Sequence, residues 1–250
     1  MKRVLQAVGL LVIGGVVAGY FTGTGRHRVT REPVTVGAAG AAEFAYVAAV
    51  PAHTSEYVWP VVDAFLTDVP RGAQVLDMGA GNGALLASFE ERGWTRVGLD
   101  ISKTGIVLAR QSHPEIEFIE ADATSDLRPL IGENRFDVVV STETLEHVHL
   151  PRHFLANAYA ALKPGGRLVV SVPYNGYLKH LAIAILGRSD QYLDPLWDWG
   201  HIKFYSVDTL SSLLGEAGFD TIEWEGAGRA PYLWKSLVMS GRKPVTTLKP

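Results

Sequence analysis

From about residue 53 the chain alternates short, wholly apolar runs with longer amphipathic ones. "YVWPVVDAFL" carries helical spacing with one apolar face. "AQVLD" is brief and apolar, ends in Asp77 and runs into glycines, and "ALLASFEER" then resumes helical spacing as far as Gly93. "RVGLD", "IEFIEAD" and "FDVVV" read as further strands, with the helix "KTGIVLARQ" between the first two. Pro151 opens the helix "PRHFLANAYAAL" at a favoured first-turn position. The "KPGG" that closes it suits a type II turn, and "RLVVSVP" is the next strand. Runs such as Val138–Val140 fit strands buried on both sides. Strands alternating with helices predict an α/β domain, a parallel sheet covered on both faces. After Pro173 the rhythm breaks into an aromatic-rich stretch lasting to about Tyr205. The helix "SVDTLSSLLGEAG" follows, with Ser206 as N-cap, and then two strands, "TIEWEG" and "YLWKSLVMS". "GRKPVTTLKP" reads as a frayed tail.

The N-terminus has a different pattern. "VLQAVGLLVIGGVVAGYF", residues 4–21, is apolar all round, preceded by Lys2 and Arg3 and followed by Arg26, Arg28 and Arg31. A spanning helix needs about 20 such residues and a signal-peptide core about 7–15. A membrane anchor, a cleaved signal and a buried helix all remain open, and the anchor is the expectation. The Gly/Ala-rich spacer "VGAAGAA" separates this segment from the periodic region. The expected organisation is an apolar segment over 1–25, a linker over 26–52, a domain over 53–240 and a tail over 241–250. The flanking charges lean toward a membrane-associated protein whose domain faces the cytoplasm.

Composition narrows the picture. The 250 residues suffice for one sizeable α/β domain. A formal net charge of −3, with scattered basic residues, supplies no electrostatic footprint for nucleic acid, and none is expected as a partner. The absence of cysteine excludes disulfides, thiolate metal sites and a cysteine nucleophile.

In open α/β sheets ligands bind beyond the carboxyl ends of the strands. Asp77, Gly79, Ala80, Gly81 and Gly83 follow the first strand, where glycines let the backbone turn tightly against a ligand. Asp100 ends the second strand, placed to accept from ribose hydroxyls, and Asp122 follows the third, near an adenine amino group. This combination points to a nucleoside cofactor. The third glycine comes one position early for a dinucleotide site, and the acid at Asp77 would repel a pyrophosphate but suits an ammonium and a sulfonium. S-adenosylmethionine has both.

"VLDMGAGNG", "VGLDIS", "IEADAT", "FDVVVSTETLEHV" and "LKPGGRLVVSVP" resemble, in order, the motifs of class I S-adenosylmethionine-dependent methyltransferases, over roughly residues 70–240. The resemblance implies a seven-stranded, Rossmann-like sheet with one antiparallel strand. It implies that Asp77 and the Gly79–Gly83 loop line the methionine and ribose, that Asp100 holds the ribose and that Ile101 packs on adenine. Asp122 and Ala123 would edge the base, with Thr142 and Glu143 near the methionine end.

Glu143, Glu146 and His147 are spaced i, i+3 and i+4, so a helical turn after Val140 would set them on one face. Two carboxylates and an imidazole suit a divalent ion, with Mg²⁺ as the candidate. His201 in "WGHIKFYS" is a fourth candidate ligand. This pattern resembles ubiquinone-pathway O-methyltransferases and small-RNA 2′-O-methyltransferases, of which the latter hold a metal with such residues. The alternative is the wet end of a helix without metal, with His147 or His201 as general base. Glu143, His147 and His201 are the candidate catalytic groups. His149 and His153 read as surface residues, and His180 has no evident partner.

The segment from Pro173 to Tyr205 should select the acceptor. Its apolar run "LAIAILG" reads either as a core lid or as a surface for a lipid-like molecule. The expected acceptor is a small or lipid-linked hydroxyl compound, such as a phenol, a prenylated quinone precursor or a glycan. A dinucleotide oxidoreductase and a catalytically silent nucleoside-binding module stand as alternatives.

Overall fold

The computed structural model describes residues 53–245. The N-terminal apolar segment and its linker lie outside those residues. Among the described residues no helix is long and apolar enough to cross a membrane.

Seven strands form one sheet: β1 (Gln74–Met78), β2 (Thr95–Asp100), β3 (Glu117–Glu120), β4 (Phe136–Thr142), β5 (Leu162–Pro173), β6 (Asp220–Ala227) and β7 (Ser236–Arg242). Their order is β3-β2-β1-β4-β5-β7-β6. The pairs from β3 to β5 are parallel, and β7 runs antiparallel to both β5 and β6. The expected α/β sheet with one antiparallel strand is therefore the observed one.

Period-two alternation explains how both faces are filled. Val138 and Val140 of β4 enter one core with Val58 and Val62 of α1 (Ser55–Phe65), Leu86 of α2 (Ala84–Ser88) and Ile106 of α3 (Lys103–Ser112). Val139 enters the other, with Ile131 of α4 (Arg128–Ile131), Phe154 and Leu155 of α5 (Pro151–Ala161) and Leu210 of α8 (Val207–Glu216). Each fully buried side chain of this size stabilises by about 1.5–3 kcal/mol, so the sheet is anchored from both sides. Ser206 caps α8 as expected, in a reciprocal box with Thr209.

Two boundaries differ from the sequence reading. Gly165 takes the positive φ (+80°) that the type II turn requires, yet the flanking residues remain paired, so β5 begins at Leu162. The tail does not begin at 241. Gly241 and Arg242 extend the ladder opposite Leu168 and Arg167. The Lys243 ammonium then donates to the carbonyls of Tyr159 and Leu162, each at 2.8 Å, satisfying acceptors that would otherwise be left open.

The chain goes from β1 outward to β3 and then returns to place β4 on the other side of β1. That reversal puts the carboxyl ends of β1 and β4 side by side, the position where such sheets bind ligands. Two short helices, α6 (Tyr177–Ile185) and α7 (Ser189–Leu193), follow β5.

Candidate active site

A cavity of about 970 Å³ opens at the carboxyl ends of β1 and β4, and α6 contributes to its lining. Asp77, Gly79, Ala80, Gly81, Thr142 and Glu143 line it. Glu146, His147 and His201 line it as well. Asp100, Ile101, Asp122 and Ala123 are not part of that lining and sit at the ends of β2 and β3. The Asp100 carboxylate accepts from Gly81 N–H and Ser102 N–H, both at 2.7 Å, which fixes its orientation against the loop. Asp122 Oδ1 accepts from the N–H and hydroxyl of Thr124 at 2.7 and 2.8 Å, and Ile101 leaves its apolar side chain exposed.

The glycine loop has a more specific cause than the sequence suggested. Gly79, Gly81 and Gly83 all have positive φ. A Cβ at Gly79 would overlap the Thr144 side chain, and one at Gly83 would come within 2.5 Å of Phe118 Cζ. At these two positions the colliding partner is the protein itself.

Asp77 is 2% exposed, and its Oδ1 has no hydrogen-bond partner. Burial, and then the neighbouring Asp100, push its carboxyl up to about 8. A cation would satisfy such a group, and the ammonium of S-adenosylmethionine is one. Together with the loop and the acid ending β2, the residues fit that cofactor.

The turn after β4 is not a helical face. β4 runs to Thr142, Glu143 adopts the left-handed region at φ +49°, and Leu145–His147 forms a single 3₁₀ turn around the buried Leu145. Glu143, expected among the metal ligands, is thereby left out of the cluster that Glu146 forms with His147 and His201. Its N–H donates to the Ser171 carbonyl at 3.0 Å, and its Oε1 accepts from the Ser171 hydroxyl at 2.8 Å. Burial raises the Glu143 carboxyl.

Glu146, His147 and His201 are brought together, with their ligand atoms within 4.8 Å of one another. Glu146 Oε1 lies 3.9 Å from Nε2 of each histidine. His201 arrives because the Glu146 carbonyl accepts from Ile202 N–H (2.9 Å) and Lys203 N–H (3.0 Å). Trp197 packs edge-on against both imidazoles. The Glu146 side chain is fully buried and neither oxygen has a partner. Burial and then Glu143 raise its carboxyl well above the ordinary range. Burial lowers His147, and burial with the adjacent His147 brings His201 down to about 4, so both imidazoles are neutral near pH 7. Once Glu146 gives up its proton, its carboxylate and the two neutral imidazoles form a donor set that fits a divalent metal.

His149 and His153 are exposed, as expected, and His180 pairs with Asn175 Oδ1 at 2.9 Å. Sequence reasoning did not single out Lys179 and Arg229, which also line the cavity. The only signal for Lys179 was a single cation in an apolar helix, and Arg229 had none.

This fold and site define an S-adenosylmethionine-dependent methyltransferase. The chain belongs to the methyltransferase domain family, which it matches over residues 52–223. The ubiquinone biosynthesis O-methyltransferase of Ruegeria sp. is 33% identical over 179 residues, 68% of this chain and 69% of that protein. The enzyme of that name from Cereibacter sphaeroides is 34% identical over 170 residues, 66% of this chain and 67% of that one. Among solved structures, an S-adenosylmethionine-dependent methyltransferase from Mesorhizobium loti shares the fold at a TM-score of 0.59 and 24% identity, over 74% of this chain and 96% of that one. Membership of the family sets the dinucleotide oxidoreductase and the silent module aside.

Proposed function

We propose that the protein methylates a hydroxyl of a small or lipid-linked acceptor, with Glu146, His147 and His201 holding a divalent cation beside the reacting oxygen. The observation that carries this reading is Glu146, fully buried with two unpartnered oxygens and an imidazole Nε2 on either side. Leaving both oxygens of a buried carboxyl without hydrogen-bond partners costs about 1–3 kcal/mol, which a bound cation would offset. A cation held there by Glu146, His147 and His201 would lower the pKa of an adjacent hydroxyl. The donor set suits Mn²⁺ or Zn²⁺ better than Mg²⁺, which prefers oxygen ligands. Glu143, turned toward Ser171, acts as a wall of the site.

In this reading Asp77 pairs with the cofactor's ammonium, the Gly79–Gly83 loop with Ala80 lies along the methionine and ribose, and Asp100 takes the ribose hydroxyls. Ile101 covers the adenine, Asp122 and Ala123 border it, and Thr142 stands near the methionine end. Bound S-adenosylmethionine supplies an electrophilic methyl group. The relatives named for ubiquinone biosynthesis favour an aromatic hydroxyl as acceptor. The exposed Leu181, Ile185 and Leu186 of the α6 segment favour a lipid-linked one. Residues 4–21, read as an anchor, would hold the domain where such a molecule resides.

A metal-free variant has its own support. His147 Nδ1 faces two carbonyls, so its Nε2 keeps a lone pair that accepts a proton. The test offers the full chain, with methyl-labelled S-adenosylmethionine, phenolic acceptors under Mn²⁺, Mg²⁺ or EDTA, and measures metal retained after desalting. Transfer lost in EDTA and restored by Mn²⁺, with metal retention lost in E146Q and H201A, supports the metal reading. Transfer indifferent to EDTA but lost in H147A selects the base. Label appearing only on nitrogen or carbon would overturn both.

A further inference from the structure

The cavity's acids and its cations come from different elements, with Glu143 within electrostatic reach of both sets. Its acids, Asp77, Glu143 and Glu146, stand at the ends of β1 and β4. Its lysines and arginines come from elsewhere: Lys179 from α6, Arg188 from the link to α7, Arg229 and Lys235 from the β6–β7 connection. Among the described residues none of these four forms an ion pair.

Two of them are held in place at a cost. Lys179 is 9% exposed, donates to the carbonyls of Tyr174 (2.8 Å) and Lys235 (3.4 Å), and lies 4.7 Å from the Tyr192 ring centroid. An ammonium has three donors, and two go to these carbonyls. Burial, and then repulsion from Arg229, bring it down to about 8, and Glu143 offsets part of this from beyond ion-pair distance. Arg229 occupies the left-handed region at φ +64°. A non-glycine residue there is strained, so the surrounding structure must hold it in that conformation. Arg229 lines the same cavity as Lys179, Tyr57 and Tyr192.

We propose that Lys179 and Arg229 form a subsite for an anionic group, a carboxylate or a phosphate, carried by the methyl acceptor in addition to its reacting hydroxyl. This rests on the hydroxyl-methylation reading of the cavity. A guanidinium and an ammonium that form no ion pair among the described residues can offer charge-assisted hydrogen bonds to either anion, the guanidinium bidentately, with Glu143 the nearest opposing charge. The apolar Ala182, Ile183 and Leu186 continue the lining from Lys179 along α6, so the acceptor is amphiphilic, with an acid group beside an apolar body.

The methionine carboxylate of the cofactor is the competing owner of these charges, and the experiment separates the two. Benzoate, phenyl phosphate and benzamide share one ring and differ in charge. Their binding to the full chain is measured by titration calorimetry, with and without saturating S-adenosylhomocysteine. With it present, one of the two anions should bind about tenfold or more tighter than benzamide, the worth of a charge-assisted hydrogen bond. The tighter anion identifies the acceptor's group as carboxylate or phosphate. R229Q, on an exposed loop, should abolish the preference while leaving benzamide binding unchanged, R229K should restore part of it, and K179Q should weaken it in the same sense. Equal binding of all three probes would overturn the proposal. So would a preference seen only without S-adenosylhomocysteine, which assigns the cations to the cofactor, or one that survives in both R229Q and K179Q. The assay requires no methyl transfer, so failure of the hydroxyl reading would show in the labelling experiment alone.

Discussion

The Nδ1 of His147 lies 2.7 Å from the backbone carbonyl oxygen of Trp199, 52 residues further along the chain. A carbonyl can only accept, so Nδ1 carries the proton and Nε2 turns a lone pair toward Glu146. This bond sets the tautomer and, with the Ile202 and Lys203 N–H bonds to the Glu146 carbonyl, docks the segment bearing His201. His147→Asn keeps a donor for the Trp199 carbonyl but has no group in place of Nε2. Its thermal unfolding should stay within about 1 kcal/mol of wild type, while kcat falls by about 10²–10⁴-fold. Initial rates of methyl transfer decide it, and activity within tenfold of wild type would remove His147 from the chemistry.

The close approach of Gly79 to Thr144 predicts a coupled pair. Gly79→Ala places a Cβ into the Thr144 side chain at a φ of +91°, and should destabilise by about 1–3 kcal/mol. Thr144→Ala removes the two nearest atoms but keeps Thr144 Cβ at 2.9 Å, so it relieves most of the overlap and none of the backbone strain. A double-mutant cycle by urea unfolding should give a favourable coupling of about 0.5–3 kcal/mol. Simple additivity would mean that the overlap is absorbed elsewhere.

The two patterns of hydrophobic spacing made most of the fold legible. β1 to β4 read directly because valines such as Val138, Val139 and Val140 must be buried on both faces, and Asp77 and Asp100 stood out as acids ending apolar runs. The turn after β4 misled because i, i+3, i+4 spacing implies a helical face. Glu143 instead takes a left-handed conformation that its residue type does not announce. The pairing of His201 with Glu146 depends on long-range hydrogen bonds from Ile202 and Lys203, which no local pattern encodes. Lys179 and Arg229 were invisible for the same reason: one stands on α6 and the other on the β6–β7 connection, and only the fold brings both to the cavity. The sheet ladder also absorbed Gly241 and Arg242, whose composition alone resembles a tail.

Glu146 should trade stability for function. Its carboxyl is buried without a hydrogen bond, a state costly to the ligand-free fold. Glu146→Leu fills similar volume without a polar group. In EDTA the variant should be more stable than wild type by about 1–3 kcal/mol, with methyl transfer abolished. Added Mn²⁺ should raise the Tm of wild type and leave that of the variant unchanged. A variant less stable than wild type in EDTA would show that Glu146 has a structural partner.

Asp77 predicts a proton linked to cofactor binding. In the ligand-free fold burial and then Asp100 push its carboxyl up to about 8, whereas an unfolded chain titrates near about 3.9. The folded state thus holds a proton that the unfolded state has released. The associated stability is complete below the ordinary carboxylate range and is lost as pH rises through about 8. A cofactor ammonium beside Asp77 favours the ionised form, so binding must expel that proton. The affinity for S-adenosylhomocysteine should therefore rise as pH climbs toward about 8 and level off beyond it. Calorimetry at about pH 6 in two buffers of different ionisation enthalpy should count close to one proton released, falling toward zero above pH 8. Asp77→Asn, which cannot ionise, should bind more weakly, release no proton and show a flat profile. Proton release that persists in Asp77→Asn would assign the linkage to another group and leave Asp77 a buried neutral acid.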